Sequence, residues 1–165
     1  LYSFAGSLKQ RGPMMAHMQH ALYRAIEVAP RRVEDFPVSV VLAPEAINLS
    51  TGEAVVTVTM KIESGYHANA NDPGVEGLIA TVLSLEGGDG LELTVNYPAA
   101  EKKQFSFAPE PIAVYENEVV LEAILRRTGT PDPKQQLRLQ YQVCTDSKCL
   151  LPKTSELLLT LTGLE

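Results

Sequence analysis

Cys144 and Cys149 are the chain's two cysteines, and four residues separate them in Gln142-Val143-Cys144-Thr145-Asp146-Ser147-Lys148-Cys149-Leu150. Thr-Asp-Ser-Lys is turn-like, so the pair is expected at the two ends of a hairpin loop, within disulfide reach. Two chemistries fit that placement. One is a structural staple, the commonest use of a cysteine pair in an exported protein. The other is a dithiol that exchanges with the disulfides of partners. Closing a loop of about six residues constrains the unfolded chain by roughly 2 kcal/mol, which a domain with a full-sized core hardly needs. Lys148 favours a thiolate at Cys149, and Asp146 opposes it. Leu137, Leu139, Tyr141 and Val143 alternate with polar residues, so Cys144 is expected on the polar face with Arg138, Gln140 and Gln142. Spacing alone leaves both chemistries open.

Other reactive residue types offer less. Cys144, Cys149 and His67 supply three ligands, short of the four that structural zinc takes, and no metal is expected. His67 reads as a strand-end histidine bonded to backbone rather than as a base. Met14, Met15, His17, Met18 and His20 have side chains that suit copper. Met15 and Met18 nevertheless share an apolar helical stripe with Leu22 and Ile26, and helix packing accounts for them. Tyr97 and Tyr115 read as core or rim aromatics. Asn48-Leu49-Ser50 fits the glycosylation pattern, which bears only on a eukaryotic secretory route. No glycine-rich loop joins a strand to a helix, so no nucleotide site is supported.

Composition narrows the class. The 165 residues carry 14 Lys+Arg against 20 Asp+Glu, a net charge of −6 that argues against nucleic acid as a partner. Hydrophobic residues make up 45% and charged ones 21%, an ordinary globular balance. No apolar run approaches the roughly twenty residues of a spanning helix. Trp is absent, which disfavours an aromatic carbohydrate platform.

Residues 1–35 read as an N-terminal helical arm and linker, or as the tail of a preceding thioredoxin-like domain. Pro13 suits a first helical position, and Pro30 closes the pattern. From Phe36 the period changes to two. Val38, Val40 and Leu42 alternate, and Val56, Val58, Met60 and Ile62 form one face of a strong strand. Residues 78–85 are apolar and β-branched, Gly87-Gly88-Asp89-Gly90 is a turn, and Leu91, Leu93 and Val95 alternate again. Residues 112–115 and 118–125 flank Glu116-Asn117 and predict a hairpin. A last strand covers residues 156–162. Short strands with a turn about every ten residues and no helices between them predict an all-β domain over 36–165, an immunoglobulin-like antiparallel β-sandwich.

Several segments resemble the N-terminal, periplasmic domain of the thiol:disulfide interchange protein DsbD and its relatives, the disulfide bond corrector domains. They are Ile62-Glu63-Ser64-Gly65-Tyr66-His67-Ala68-Asn69, Val95-Asn96-Tyr97-Pro98, Val114-Tyr115-Glu116-Asn117 and, most specifically, Tyr141-Gln142-Val143-Cys144 through Cys149-Leu150-Leu151-Pro152. The resemblance covers about residues 36–163 and implies an immunoglobulin-like fold and extracytoplasmic thiol–disulfide exchange without a cofactor. It implies thioredoxin-like partners fed by a membrane electron transporter. It also implies that Cys149 forms the mixed disulfide and Cys144 resolves it. An aromatic cap shields the pair in the family; here Phe105, Phe107 and Tyr66 stand in the corresponding order. The best-known members have one more residue between the cysteines, and their acidic-aromatic-Gly cap pattern is missing here. The other reading of the residues is a non-catalytic immunoglobulin-like binding or linker module with a purely structural disulfide.

Overall fold

In the computed structural model the described residues are 36–165, and all their regular structure is β. The expected helical arm, with its Met and His residues, lies outside them.

Each long strand follows from its alternation. In β1 (Val38–Ala43) and β3 (Glu53–Ile62), Val38, Leu42, Val56, Val58, Met60 and Ile62 turn inward. In β9 (Glu118–Arg127), Val119, Leu121, Ala123 and Leu125 do the same while Glu118 and Glu122 face water. These strands and β6 (Leu91–Asn96) form the first sheet, in the order β1-β3-β9-β6. Its register sets Val58 opposite Leu121 and Val95 opposite Ala123. The second sheet has the order β2-β12-β10-β5, from β2 (Ala46–Asn48), β12 (Lys153–Thr162), β10 (Lys134–Tyr141) and β5 (Val82–Glu86). Leu137, Leu139, Tyr141, Leu159 and Leu161 of this sheet share one apolar core with the buried faces of β3 and β9. This is the sandwich that the alternation predicts.

Two details differ from expectation. β12 pairs with β2 in parallel, Leu161 opposite Ile47, so the sheets are not wholly antiparallel. Pro44 has no N–H to extend the β1 ladder, and beyond it the chain crosses to the second sheet. The second difference concerns residues 112–125, which form no hairpin. β8 (Ile112–Tyr115) belongs to a third sheet with the order β11-β4-β8-β7, whereas β9 belongs to the first. All four residues of β8 are buried, whereas β9 alternates. A strand covered on both faces reads as a continuous apolar run and gives no sign of which sheet it joins. Asn117 makes the change of direction at φ 60°, and its carbonyl accepts the Ile62 N–H at 2.6 Å. The third sheet also holds β4 (His67–Asn69), β7 (Glu101–Lys103) and β11 (Val143–Cys144), and it carries the cysteines.

Candidate functional site

The cysteine pair sits where the chain leaves one sheet for another. Tyr141 ends β10 fully buried, its hydroxyl 3.3 Å from Ser155 Oγ. Gln142 belongs to neither ladder, and its amide ties the step together. Its Nε2 donates to the Leu150 carbonyl at 3.1 Å, and its Oε1 accepts from Asn69 Nδ2 and the Ile79 N–H, both at 3.3 Å. β11 then pairs with β4, Val143 opposite Ala68 and Cys144 opposite His67. Residues 145–148 form a tight turn. The Thr145 N–H donates to the Lys148 carbonyl at 2.8 Å, and Thr145 Oγ1 accepts from the N–H groups of Ser147 and Lys148. The Leu150 N–H donates to the Val143 carbonyl at 2.8 Å and closes the hairpin. Cys144 and Cys149 face each other across it, joined by a disulfide with Cα atoms 3.9 Å apart.

The two cysteines have unlike surroundings. Cys144 is 0% exposed, and Cys149 is exposed. The sequence places Cys144 on a polar face, and this needs correction. Alternation does turn it away from Val143, which packs in the main core. The side it turns to is not open to water, because the strand has changed sheets and a loop covers that side.

That loop is the segment between β7 and β8. Phe105, 6% exposed, lies in a small apolar cluster with Ile112 and Val114. Its ring stacks on His67, the residue opposite Cys144, with centroids 4.2 Å apart. Phe107 stacks on Phe105 at 5.4 Å and is 41% exposed. Ser106 Oγ donates to the Asp146 carbonyl at 3.5 Å, joining this loop to the cysteine turn. The Phe105–Phe107 loop is thus linked to the cysteine hairpin through His67 and through Ser106. Tyr66 is half-buried and packs against the main core instead.

His67 and Gln142 are the residues that sequence reasoning undervalued. Instead of the expected backbone bond, His67 Nε2 is buried without a hydrogen-bond partner. Burial holds its pKa below the ordinary value; Glu116 and Asp146 pull upward and Lys103 adds to the lowering. Lys103 is itself paired with Glu116, whose carboxylate raises the lysine's pKa. The available signal was one polar residue, Gln142, standing between two apolar ones just before a cysteine. Among the described residues no three His, Cys, Asp or Glu side chains gather as a metal site.

The family model for the N-terminal domain of thiol:disulfide interchange protein DsbD matches residues 38–161, with both cysteines inside the match. The chain belongs to this family. Among solved structures, the chain is similar to the N-terminal periplasmic domain of ScsB from Proteus mirabilis, at 16% identity and TM-score 0.63. That match covers 78% of this chain and 48% of the other, so the chain spans about half the length of the ScsB domain. The reduced DsbD N-terminal domain of Neisseria meningitidis matches at 18% identity and TM-score 0.45, over 69% of this chain and 89% of that one. A structure of the complex between the DsbD and PilB N-terminal domains of the same organism matches at 20% identity and TM-score 0.45, covering 63% and 73%. Curated protein sequences give no match. Family and architecture agree on an immunoglobulin-like β-sandwich of the thiol:disulfide interchange type.

Proposed function

We propose that this domain is an extracytoplasmic thiol–disulfide exchange module that relays electrons through Cys144 and Cys149. The observation that carries the reading is the unequal burial of the two cysteines, Cys149 exposed and Cys144 enclosed, in a chain of this family. A partner's thiolate can approach Cys149 Sγ and not Cys144 Sγ. The attack forms a bond from the partner's sulfur to Cys149, breaks the Cys144–Cys149 bond and releases Cys144 as a thiolate. In the outward direction Cys149 attacks a partner's disulfide, and Cys144 resolves the mixed disulfide by attacking Cys149. Two electrons move as thiols, so no cofactor is required. Cys149 is thus assigned as the exchanging residue and Cys144 as the resolving one, with Phe105 and Phe107 as the shield.

The partners we propose are thioredoxin-like domains, supplied in turn by a membrane electron transporter. The compartment we propose is the periplasm or cell envelope. Leu151, 86% exposed and two residues beyond Cys149, and Phe107 offer apolar surface for such contact.

The deciding experiment is equilibration in graded thiol/disulfide buffers, with free thiols alkylated and counted. A potential above about −250 mV, in the range of exchange proteins, is expected. A potential below about −300 mV, with thiols reached only after unfolding, would make the disulfide a structural staple and the domain a binding module. With a reduced thioredoxin-like domain as donor, Cys149→Ser is expected to abolish exchange. Cys144→Ser is expected to accumulate the covalent mixed complex, visible as a band that a reductant removes.

A further inference from the structure

We propose that His67 accepts the Cys144 proton in the step that resolves the mixed disulfide, an assignment that rests on the exchange reading above. Three observations converge on it. His67 lies directly opposite Cys144 in the antiparallel pair of β4 and β11, so both side chains share one face, with Cβ atoms about 5 Å apart. The ring is 2% exposed and held in place by its stack on Phe105. Its Nε2 is buried with no hydrogen-bond partner. A buried acceptor left unpaired is costly, and the thiol that reduction creates at Cys144 is a donor on the same face.

In the mixed disulfide, Cys149 Sγ is bonded to the partner's sulfur. As Cys144 Sγ attacks Cys149 Sγ, its proton passes to His67 Nε2. The Cys144–Cys149 bond forms, the Cys149–partner bond breaks, and the partner's sulfur leaves with the electron pair as a thiolate. The imidazolium then returns the proton to that thiolate. The dithiol is oxidised and the partner's disulfide is reduced.

The surroundings suit a resting neutral ring. Burial disfavours the imidazolium, and Lys103 does so too. Glu116, in the link after β8, and Asp146, in the cysteine turn, are the opposing charges that would steady the cation while it lasts. An apolar enclosure raises the pKa of a thiol, so Cys144 needs a base more than the exposed Cys149 does.

The test follows reduced protein mixed with one equivalent of the chromogenic disulfide dithiobis(nitrobenzoate) in stopped flow. The first thionitrobenzoate released reports attack by Cys149, and the second reports resolution by Cys144. His67→Phe keeps a ring for the Phe105 stack and removes the nitrogens. It is expected to slow the second release about tenfold or more at neutral pH and to leave the first within about twofold. In the wild type the second release should vary little between about pH 6.5 and 8, whereas in His67→Phe it should climb about tenfold per unit, as thiolate fraction does. An unchanged second release, equal slowing of both releases, or the same pH profile in both proteins overturns the proposal. Should His67→Phe not fold, a tenfold-per-unit climb in the wild type alone overturns it, and a flat profile supports it. Failure of the exchange reading shows separately, as refusal of electrons from a thioredoxin-like domain by a wild type whose second release is normal.

Discussion

Gln142 does the least visible work near the disulfide. One amide satisfies the Ile79 N–H, shares Asn69 Nδ2 and holds the Leu150 carbonyl, at the residue where two sheets exchange the strand. Gln142→Leu removes these bonds and leaves the Ile79 N–H without its amide acceptor. Such losses cost about 1–3 kcal/mol, which urea denaturation would register as a lower midpoint. An unchanged midpoint would mean that water replaces the amide. His67 makes a second prediction, on pH. Burial lowers its pKa in the folded state, so the unfolded chain binds the proton more tightly. Its contribution to stability is therefore complete above the ordinary histidine value of 6.5 and is lost as pH falls below it toward the folded value. The difference in Tm between wild type and His67→Phe should shift against the wild type from pH 7 to pH 5, by thermal melts at fixed ionic strength. A difference independent of pH would contradict the neutral, buried ring.

Among the elements, β8 and β11 teach the most. Alternation located the long strands well, because β3, β9 and β10 each have one wet face and one dry one. It misjudged β8 and Cys144 for a shared reason. Both lie on strands of the third sheet, β8 and β11, that are buried on both faces, where a residue's face no longer foretells its exposure. The Gly87-Gly88-Asp89-Gly90 turn was legible, and its structure adds a demand on the last glycine. Gly90 has φ +77°, and a Cβ there would lie 2.9 Å from the backbone nitrogens of Thr130 and Pro131. Gly90→Ala is expected to cost about 2 kcal/mol or more, since left-handed strain and a backbone clash act together. Gly87 also has positive φ, at +80°, but open space around it, so Gly87→Ala serves as a control and should cost less.

At the scale of the molecule, the main core draws mostly on the two main sheets, and Ala68, Ala113, Tyr115 and Val143 tie the third sheet to it. Most of the largest fully buried side chains, among them Tyr141, Met60, Leu121, Leu125 and Leu137, come from the two main sheets; Ile112 and Val114 of β8 are the exceptions from the third. The disulfide closes a loop with a sequence separation of only five. Reduction should therefore lower stability by about 2 kcal/mol at most and leave the sandwich folded. Circular dichroism and urea midpoints with and without reductant measure this. Unfolding on reduction would mean that the disulfide holds the fold, against the relay reading.

The sequence by itself determined the strand-rich class, the faces of the long strands, the turn between the cysteines and, through the Tyr-Gln-x-Cys…Cys-x-x-Pro pattern, the family. These are local properties: alternation, turn chemistry and short spacing are fixed by neighbours along the chain. Which cysteine is exposed was not local. Cys144 is enclosed because β11 leaves β10's sheet, pairs with His67 and meets a loop some forty residues earlier in the chain, whose Phe105 stacks on that histidine. The pairing of β8, the parallel contact of β2 with β12 and the unpartnered nitrogen of His67 are likewise products of contacts between distant segments. Such contacts leave no period in the sequence, so only the tertiary structure decided them.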